Sequence, residues 1–144
     1  MHNKLPTKDR LIRLRIPNVI PLCVMCKIGE DSVRHLFFTC RSVYNIWNLC
    51  NNWFGMNSVL HCMPRNHFLG FQLCRISSKC LSVGNTIWKL RNDIIFNNKV
   101  FDSQELFCAI QVKSWAVVRA KYKNATFSYS DWCIDPVTCI SMLL

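Results

Sequence analysis

The sequence predicts a mainly α protein in which a small loop bearing Cys and His residues is followed by three or four packed helices. Three observations carry this expectation. Apolar residues fill 51% of the 144 positions, enough for one domain that buries roughly 70% of the surface its unfolded chain exposes. From residue 43 to residue 120 the apolar side chains recur mostly at spacings of three and four, the period of an amphipathic helix. Residues 23 to 40 lack that period and gather three Cys and a His around a turn.

The elements follow in order. In a basic N-terminal segment, residues 1–22, Thr7-Lys8-Asp9-Arg10-Leu11 can open one or two helical turns. Thr7 is the cap, Leu11, Leu14 and Arg15 share one side, and Pro17 ends the turns. The Cys-rich loop and the first long helix occupy residues 23–55. Gly29 is the turn residue of the loop, where a positive φ is expected. Val43, Tyr44, Ile46, Trp47, Cys50, Trp53 and Phe54 then form one helical stripe stopped by Gly55.

Residues 56–123 form a helical region that begins with a connector over 56–66. Apolar content is dense from Phe68 to Phe96, with Ser77-Ser78 and Gly84 as points where the helix can break or bend. Asn97-Asn98 closes it. Asp102 and Glu105 have the spacing of a capping box, ahead of a stripe of Leu106, Ala109, Ile110, Ala116, Val117 and Ala120. Lys113 falls within that stripe and must reach water from its edge. Residues 124–144 keep no period and read as an irregular tail containing Trp132, Cys133 and Cys139.

Composition excludes several classes. This much Leu, Ile, Val and Phe is incompatible with disorder, and no apolar run approaches the ~18 residues of a membrane span. No signal-peptide core follows the N-terminal charges, and the chain is too short for a complete polymerase or nuclease. Ten irregularly spaced Cys in a core-rich chain fit an intracellular protein, nuclear or cytoplasmic, better than a secreted disulfide scaffold.

Eighteen Lys and Arg against eight Asp and Glu give a formal net charge of +10. Such a field attracts phosphate backbones, although it also suits a merely solvated surface and chooses neither DNA nor RNA. The candidate phosphate contacts are Lys4, Lys8, Arg10, Arg13, Arg15, Lys27, Arg34 and Arg41. Trp47, Trp53 and Phe54 could stack on bases, but their helical spacing favours the core.

The strongest chemical signal is Cys23-x2-Cys26-x8-His35-x4-Cys40. Two Cys two residues apart grip one ion through a turn, and the His and Cys of the returning arm complete a tetrahedron. So short a loop cannot bury enough apolar area to hold itself, so one structural Zn2+ supplies the missing free energy. With all four positions filled by protein, no site remains for a reactive water. At least one of Leu36, Phe37 and Phe38 is expected to pack over the site or against the following helix. Cys50, Cys62, Cys74, Cys80, Cys108 and Cys133 offer no second ligand set and read as core or surface thiols. No nucleophile, base and acid are arranged for catalysis, and Glu30, Asp31 and Asp93 read as solvated or paired with basic neighbours. The expected catalytic set is empty.

Cys23-Val-Met-Cys26, Glu30-Asp31-Ser-Val-Arg-His35-Leu-Phe-Phe-Thr-Cys40 and Trp47 together resemble the zinc-binding domain that follows the reverse transcriptase region of plant LINE-type, non-LTR retroelements. Leu5-Pro-Thr-Lys-Asp-Arg-Leu11 resembles the segment preceding the first Cys of that family. Ile87-Trp88-Lys-Leu-Arg91-Asn92-Asp-Ile-Ile-Phe96 resembles its downstream Trp and Arg-Asn motif, and Trp115 fits the helix beyond. The resemblance implies that Cys23, Cys26, His35 and Cys40 are the ligands. It also implies that the partner is element RNA or DNA, or the adjoining reverse transcriptase polypeptide, with no membrane involved. The polymerase palm and a ribonuclease H domain have no counterpart here, so the chain reads as a detached fragment or a domesticated remnant of a retroelement reading frame. The expected function is non-catalytic nucleic-acid contact. The alternatives are docking on a polymerase or on a second copy, or a fragment without function.

Overall fold

A computed structural model of the chain describes residues 5–56 and 77–143, with side chains in the second stretch described from residue 82. Lys4, His61, Cys62, His67 and Cys74, the connector over 56–66 beyond its first residue, and the side chain of Cys80 lie outside these residues. The described elements are helical: α1 (Lys8–Arg13), a π-helical turn (His35–Thr39), α2 (Arg41–Trp53), α3 (Ser77–Asn97), α4 (Ser103–Lys121), α5 (Tyr129–Ile134) and α6 (Pro136–Ser141). An isolated antiparallel bridge pairs Leu22 with Glu30. The mainly α expectation holds.

Each helix has a local cause. Thr7 precedes α1 in extended geometry without capping it through its side chain. Its hydroxyl donates instead to Asp9 Oδ1 at 2.5 Å. Asp9 also pairs with Arg13. Burial pushes the Asp9 carboxyl up, but the hydrogen bonds from Thr7 and Arg13 outweigh it and hold the group below the ordinary carboxylate range. Gly55, at φ +61°, follows the C-cap Phe54 of α2 and supplies the left-handed residue that ends the helix there.

α3 runs unbroken from Ser77 through Gly84 to Asn97, because one glycine costs a long helix only about 1 kcal/mol. Asn98 follows it in the left-handed region at φ 51°. Asp102 caps α4 by accepting from the N–H groups of Gln104 and Glu105. Glu105 does not close the expected capping box, because its carboxylate is taken by Lys99 at 2.5 Å.

The main core joins the Cys-rich loop to the long helices. Cys23, Met25, Leu36 and Cys40 are buried with Val43, Ile46, Trp47 and Cys50 of α2, Val83, Ile87 and Leu90 of α3, and Leu106 and Ile110 of α4. α4 lies against both α2 and α3. Its buried face is Leu106, Ile110, Gln111, Ser114 and Val118. This corrects the stripe read from the sequence, in which Ala116, Val117 and Ala120 prove exposed. Small and β-branched residues around the helix blur its period, and polar Gln111 and Ser114 occupy core positions. Lys113 sits at the edge of the face as expected, and burial lowers its ammonium pKa.

A second core corrects the irregular tail. Ser128 and Asp131 form a capping box on α5. Asp135 caps α6, with Pro136 in its first turn. These six-residue helices are too short to show a period. They seat Trp132 at 0% exposure among Phe54, Val118, Ala125, Phe127 and Cys139. Its indole N–H donates to Ser114 Oγ at 3.1 Å. Trp53 packs edge-on against it with centroids 5.6 Å apart and donates to the carbonyls of Trp132 and Cys133.

Two stability changes of opposite sign follow. Trp132→Ala empties the second core and leaves Ser114 only its bond to the Gln111 carbonyl, lowering unfolding free energy by roughly 3–5 kcal/mol in a denaturant titration. A Cβ added at Gly84 meets nothing within 4 Å, so Gly84→Ala raises it by roughly 0.5–1 kcal/mol in the same titration.

Candidate metal centre

The Cys-rich loop is built from short-range backbone bonds. Two rungs fix its neck: the Cys23 N–H donates to the Gly29 carbonyl at 2.7 Å and the Asp31 N–H to the Pro21 carbonyl at 2.8 Å. Inside them the chain turns at Met25 and Cys26, and the Lys27 N–H returns to the Cys23 carbonyl at 2.9 Å. The residue that takes the left-handed conformation is Lys27, at φ 62°. Gly29 does not, which corrects the expectation of a positive φ at that position.

Gly29 serves a steric purpose instead. A Cβ built on it would stand 2.5 Å from His35 Nδ1 and 2.7 Å from Nε2, distances that real Cβ atoms do not show. The imidazole therefore lies flat against the glycine backbone, and a hydrogen is the only side chain that leaves room for it. The sequence signal for this role is a lone Gly between a CxxC pair and its His, which equally marks a turn.

The returning arm places the other two ligands. The His35 N–H donates to Ser32 Oγ at 3.2 Å, which starts the turn. The Cys40 N–H then donates to the His35 carbonyl at 2.8 Å, five residues back. This widened π turn ties the backbones at the two ends of the His-x4-Cys spacing directly together. Trp47 Nε1 clamps it to α2 by donating to the Phe37 carbonyl at 2.7 Å. Leu36 is fully buried beneath it beside Cys23 and Cys40, so the apolar shell expected of residues 36–38 is present.

The donor atoms of Cys23, Cys26, His35 and Cys40 all lie within 4.8 Å of one another. A tetrahedron with Zn–S bonds of ~2.3 Å has edges of ~3.8 Å, so these separations fit one ion. Cys26 Sγ and His35 Nε2 are 3.2 Å apart, which makes Nε2 the ligating nitrogen. Nδ1 then keeps its proton and faces Thr39 Oγ1 at 3.4 Å, an outer contact of the kind that orients a ligating imidazole.

Two of the thiols are coupled, one leaning toward the thiolate and the other away from it. The Cys40 thiol donates to the Cys23 sulfur and, against burial, pulls Cys23 down to about 5, helped by the N–H groups of Cys26 and Met25 and by His35. The same bond, with burial, pushes Cys40 far up, while the Val43 N–H at the start of α2 opposes that rise. A divalent cation held by both sulfurs would displace the Cys40 proton. Zinc bound here would give the loop rigidity, with its four coordination positions filled by protein ligands.

Of the candidate phosphate contacts, Arg15, Lys27, Arg34 and Arg41 are exposed. Arg13 is exposed but paired with Asp9. Lys8 and Arg10 are half-buried, and Lys8 Nζ donates to the Leu22 carbonyl at 2.9 Å. Trp47 and Phe54 are buried and Trp53 half-buried, so the helical-core reading of all three holds. Cys50 is buried, Cys133 half-buried and Cys108 exposed. Glu30 is exposed and Asp93 accepts from Asn97. Asp31 is fully buried against Arg91, sixty residues away.

A closed Cys3His centre on a short loop, sealed onto helices, defines a structural zinc module. Residues 1–47 match the family model described as zinc-binding in reverse transcriptase. No curated protein and no solved structure matches the chain. The zinc-binding character read from the four ligands is thus supported twice, by the family model that residues 1–47 match and by the convergence of the donor atoms.

Gly29→Ala should displace the His35 ring from the site. The expected result is zinc lost to a chelator at concentrations that leave the native chain loaded, and a weakened tetrahedral d–d spectrum when Co2+ replaces Zn2+. Competition titration and visible absorption check both.

Proposed function

We propose that the chain is a non-catalytic, zinc-stabilised module of a retroelement-derived reverse transcriptase protein, of the plant LINE type, that contacts RNA or DNA through basic residues around its metal centre. One observation carries the reading. Lys27, Arg34 and Arg41 are each exposed and each adjacent in sequence to a zinc ligand: Cys26, His35 and Cys40. Neighbouring Cα atoms are 3.80 Å apart, so ligands that share one ion hold the backbones of these three residues near it. Cations carried on a fixed backbone bind phosphates with less loss of loop freedom than the same charges on a mobile arm. Arg15 adds a further exposed cation. Thiolate ligands require reducing conditions, which supports an intracellular site.

A second reading is favoured by a different surface. Leu14, Ile16, Ile20 and Ile28 are exposed at 63%, 48%, 68% and 81%, beside Ile12 and Leu22. So many exposed aliphatic residues in one short segment suit docking on a protein, either the reverse transcriptase polypeptide or a second copy. Among the described residues no helix is long and apolar enough to cross a membrane.

Anisotropy titrations with single- and double-stranded oligonucleotides over a salt series separate the two. Phosphate contact predicts a linear fall of log K with log salt. Replacing Lys27, Arg34 and Arg41 together by Gln should reduce that slope by about two to three units, with one zinc per chain retained. Salt-independent binding, or none alongside concentration-dependent self-association, would favour docking.

A further inference from the structure

We propose that Arg91 is a positioning residue of the zinc centre, holding the ligand loop in zinc-binding geometry through Asp31. The inference rests on the zinc site and is independent of any nucleic-acid contact.

Asp31 stands between the two supports of the His35 ligand. Two residues before it, Gly29 lies against the imidazole. One residue after it, Ser32 accepts from the His35 N–H, and its carbonyl accepts from Leu36. The Asp31 N–H forms one rung of the loop's neck, and its carbonyl accepts from the Asp9 N–H, bringing α1 to the same point. A shift of Asp31 therefore moves both contacts that aim His35.

What fixes Asp31 comes from α3. Its side chain is 0% exposed and that of Arg91 3%. The Arg91 Nε reaches both carboxylate oxygens at 3.1 Å, and Nη2 reaches Oδ2 at 2.6 Å. The guanidinium is itself oriented, since Nη1 donates to Asn92 Oδ1 at 3.1 Å and the group lies 4.7 Å from the Trp88 ring centroid. Trp88, Arg91 and Asn92 act as one unit, and all three lie outside residues 1–47. A carboxylate sealed from water is tolerated when matched by such a donor and is expelled when left alone. Loss of the guanidinium drives Asp31 toward solvent and takes the His35 supports with it. By linkage, zinc binding stabilises the docking of α3 by the same factor that Arg91 lends to zinc binding.

The full chain with Arg91→Met, Arg91→Lys, Asp31→Asn and the double variant Asp31→Asn/Arg91→Met tests this, with Ile87→Ala as a control that loosens the same helix from an apolar position. Zinc affinity is read by chelator competition and ligand geometry by Co2+ absorption. The expected result is zinc binding at least tenfold weaker in Arg91→Met than in Ile87→Ala, with an altered Co2+ spectrum in the former alone. Arg91→Lys should recover part of the affinity. The double variant should bind zinc no worse than Arg91→Met, because it leaves no unmatched buried charge. Should Arg91→Met not fold, Asp31→Asn against Ile87→Ala carries the same comparison. Equal losses in the arginine variant and the control, or additive effects in the double variant, overturn the proposal. A native chain that binds no zinc overturns it together with the zinc site itself.

Discussion

A carboxylate removed from water needs a cation removed with it, and in this chain that requirement joins two segments sixty residues apart. Asp31 has no alternative partner in its own loop, where the nearby cations Lys27 and Arg34 point to solvent. Arg91 reaches it from α3 with two donating nitrogens. Because the desolvation penalty for either ion alone runs to several kcal/mol, neither partner is stable in place without the other. The register of α3 against the Cys-rich loop is thereby set more sharply than apolar contact alone would set it. α4, which packs on both α2 and α3, inherits that placement.

The metal centre and the main core share atoms. Cys23 and Cys40 are at once ligands and members of the cluster that includes Leu36, Val43, Ile46 and Ile87. Buried sulfur is stable as a thiol among hydrocarbons but not as an unpaired thiolate, and Cys23 already leans toward the thiolate beside Cys40. A divalent ion resolves that tension by neutralising the thiolates where they stand. Burial in turn excludes water from the metal–sulfur bonds. The loop needs the helices to cover its sulfurs, and the helices need the loop to complete their core.

How much of this was legible in the sequence depended on the range of the interaction. The ligand set was readable because CxxC and His-x4-Cys are local patterns whose chemistry is carried by residue type. α2 was readable because Val43, Ile46, Trp47 and Cys50 repeat cleanly and Gly55 stops them. The buried face of α4 was misread where polar Gln111 and Ser114 occupy core positions, because binary patterning assigns such residues to water. Ser114 is buried in order to receive the Trp132 indole, a partner that no local window reveals. The same limit hid the role of Gly29, whose neighbour is a ring six residues away, and the Asp31–Arg91 pair. The Trp88-Arg91-Asn92 pattern could be noticed as a resemblance, but its meaning lies in a contact across the fold.

The arrangement of charge at the surface follows from the arrangement of ligands inside. A structural zinc loop turns every ligand inward, and at Cys26, His35 and Cys40 an immediate neighbour is exposed. The backbones of the residues at those adjacent positions are fixed along with the ligands. Here they are Lys27, Arg34 and Arg41, and Lys27 adopts a left-handed backbone at φ 62°, a conformation that disfavours any residue with a Cβ. Glycine or asparagine would relieve that strain at no cost to the turn. Exposed aliphatic side chains gather in the same stretch, at Ile12, Leu14, Ile16, Ile20, Leu22 and Ile28, interleaved with the exposed cations Arg13, Arg15 and Lys27. Cation and hydrocarbon therefore alternate along this stretch rather than divide it into two faces.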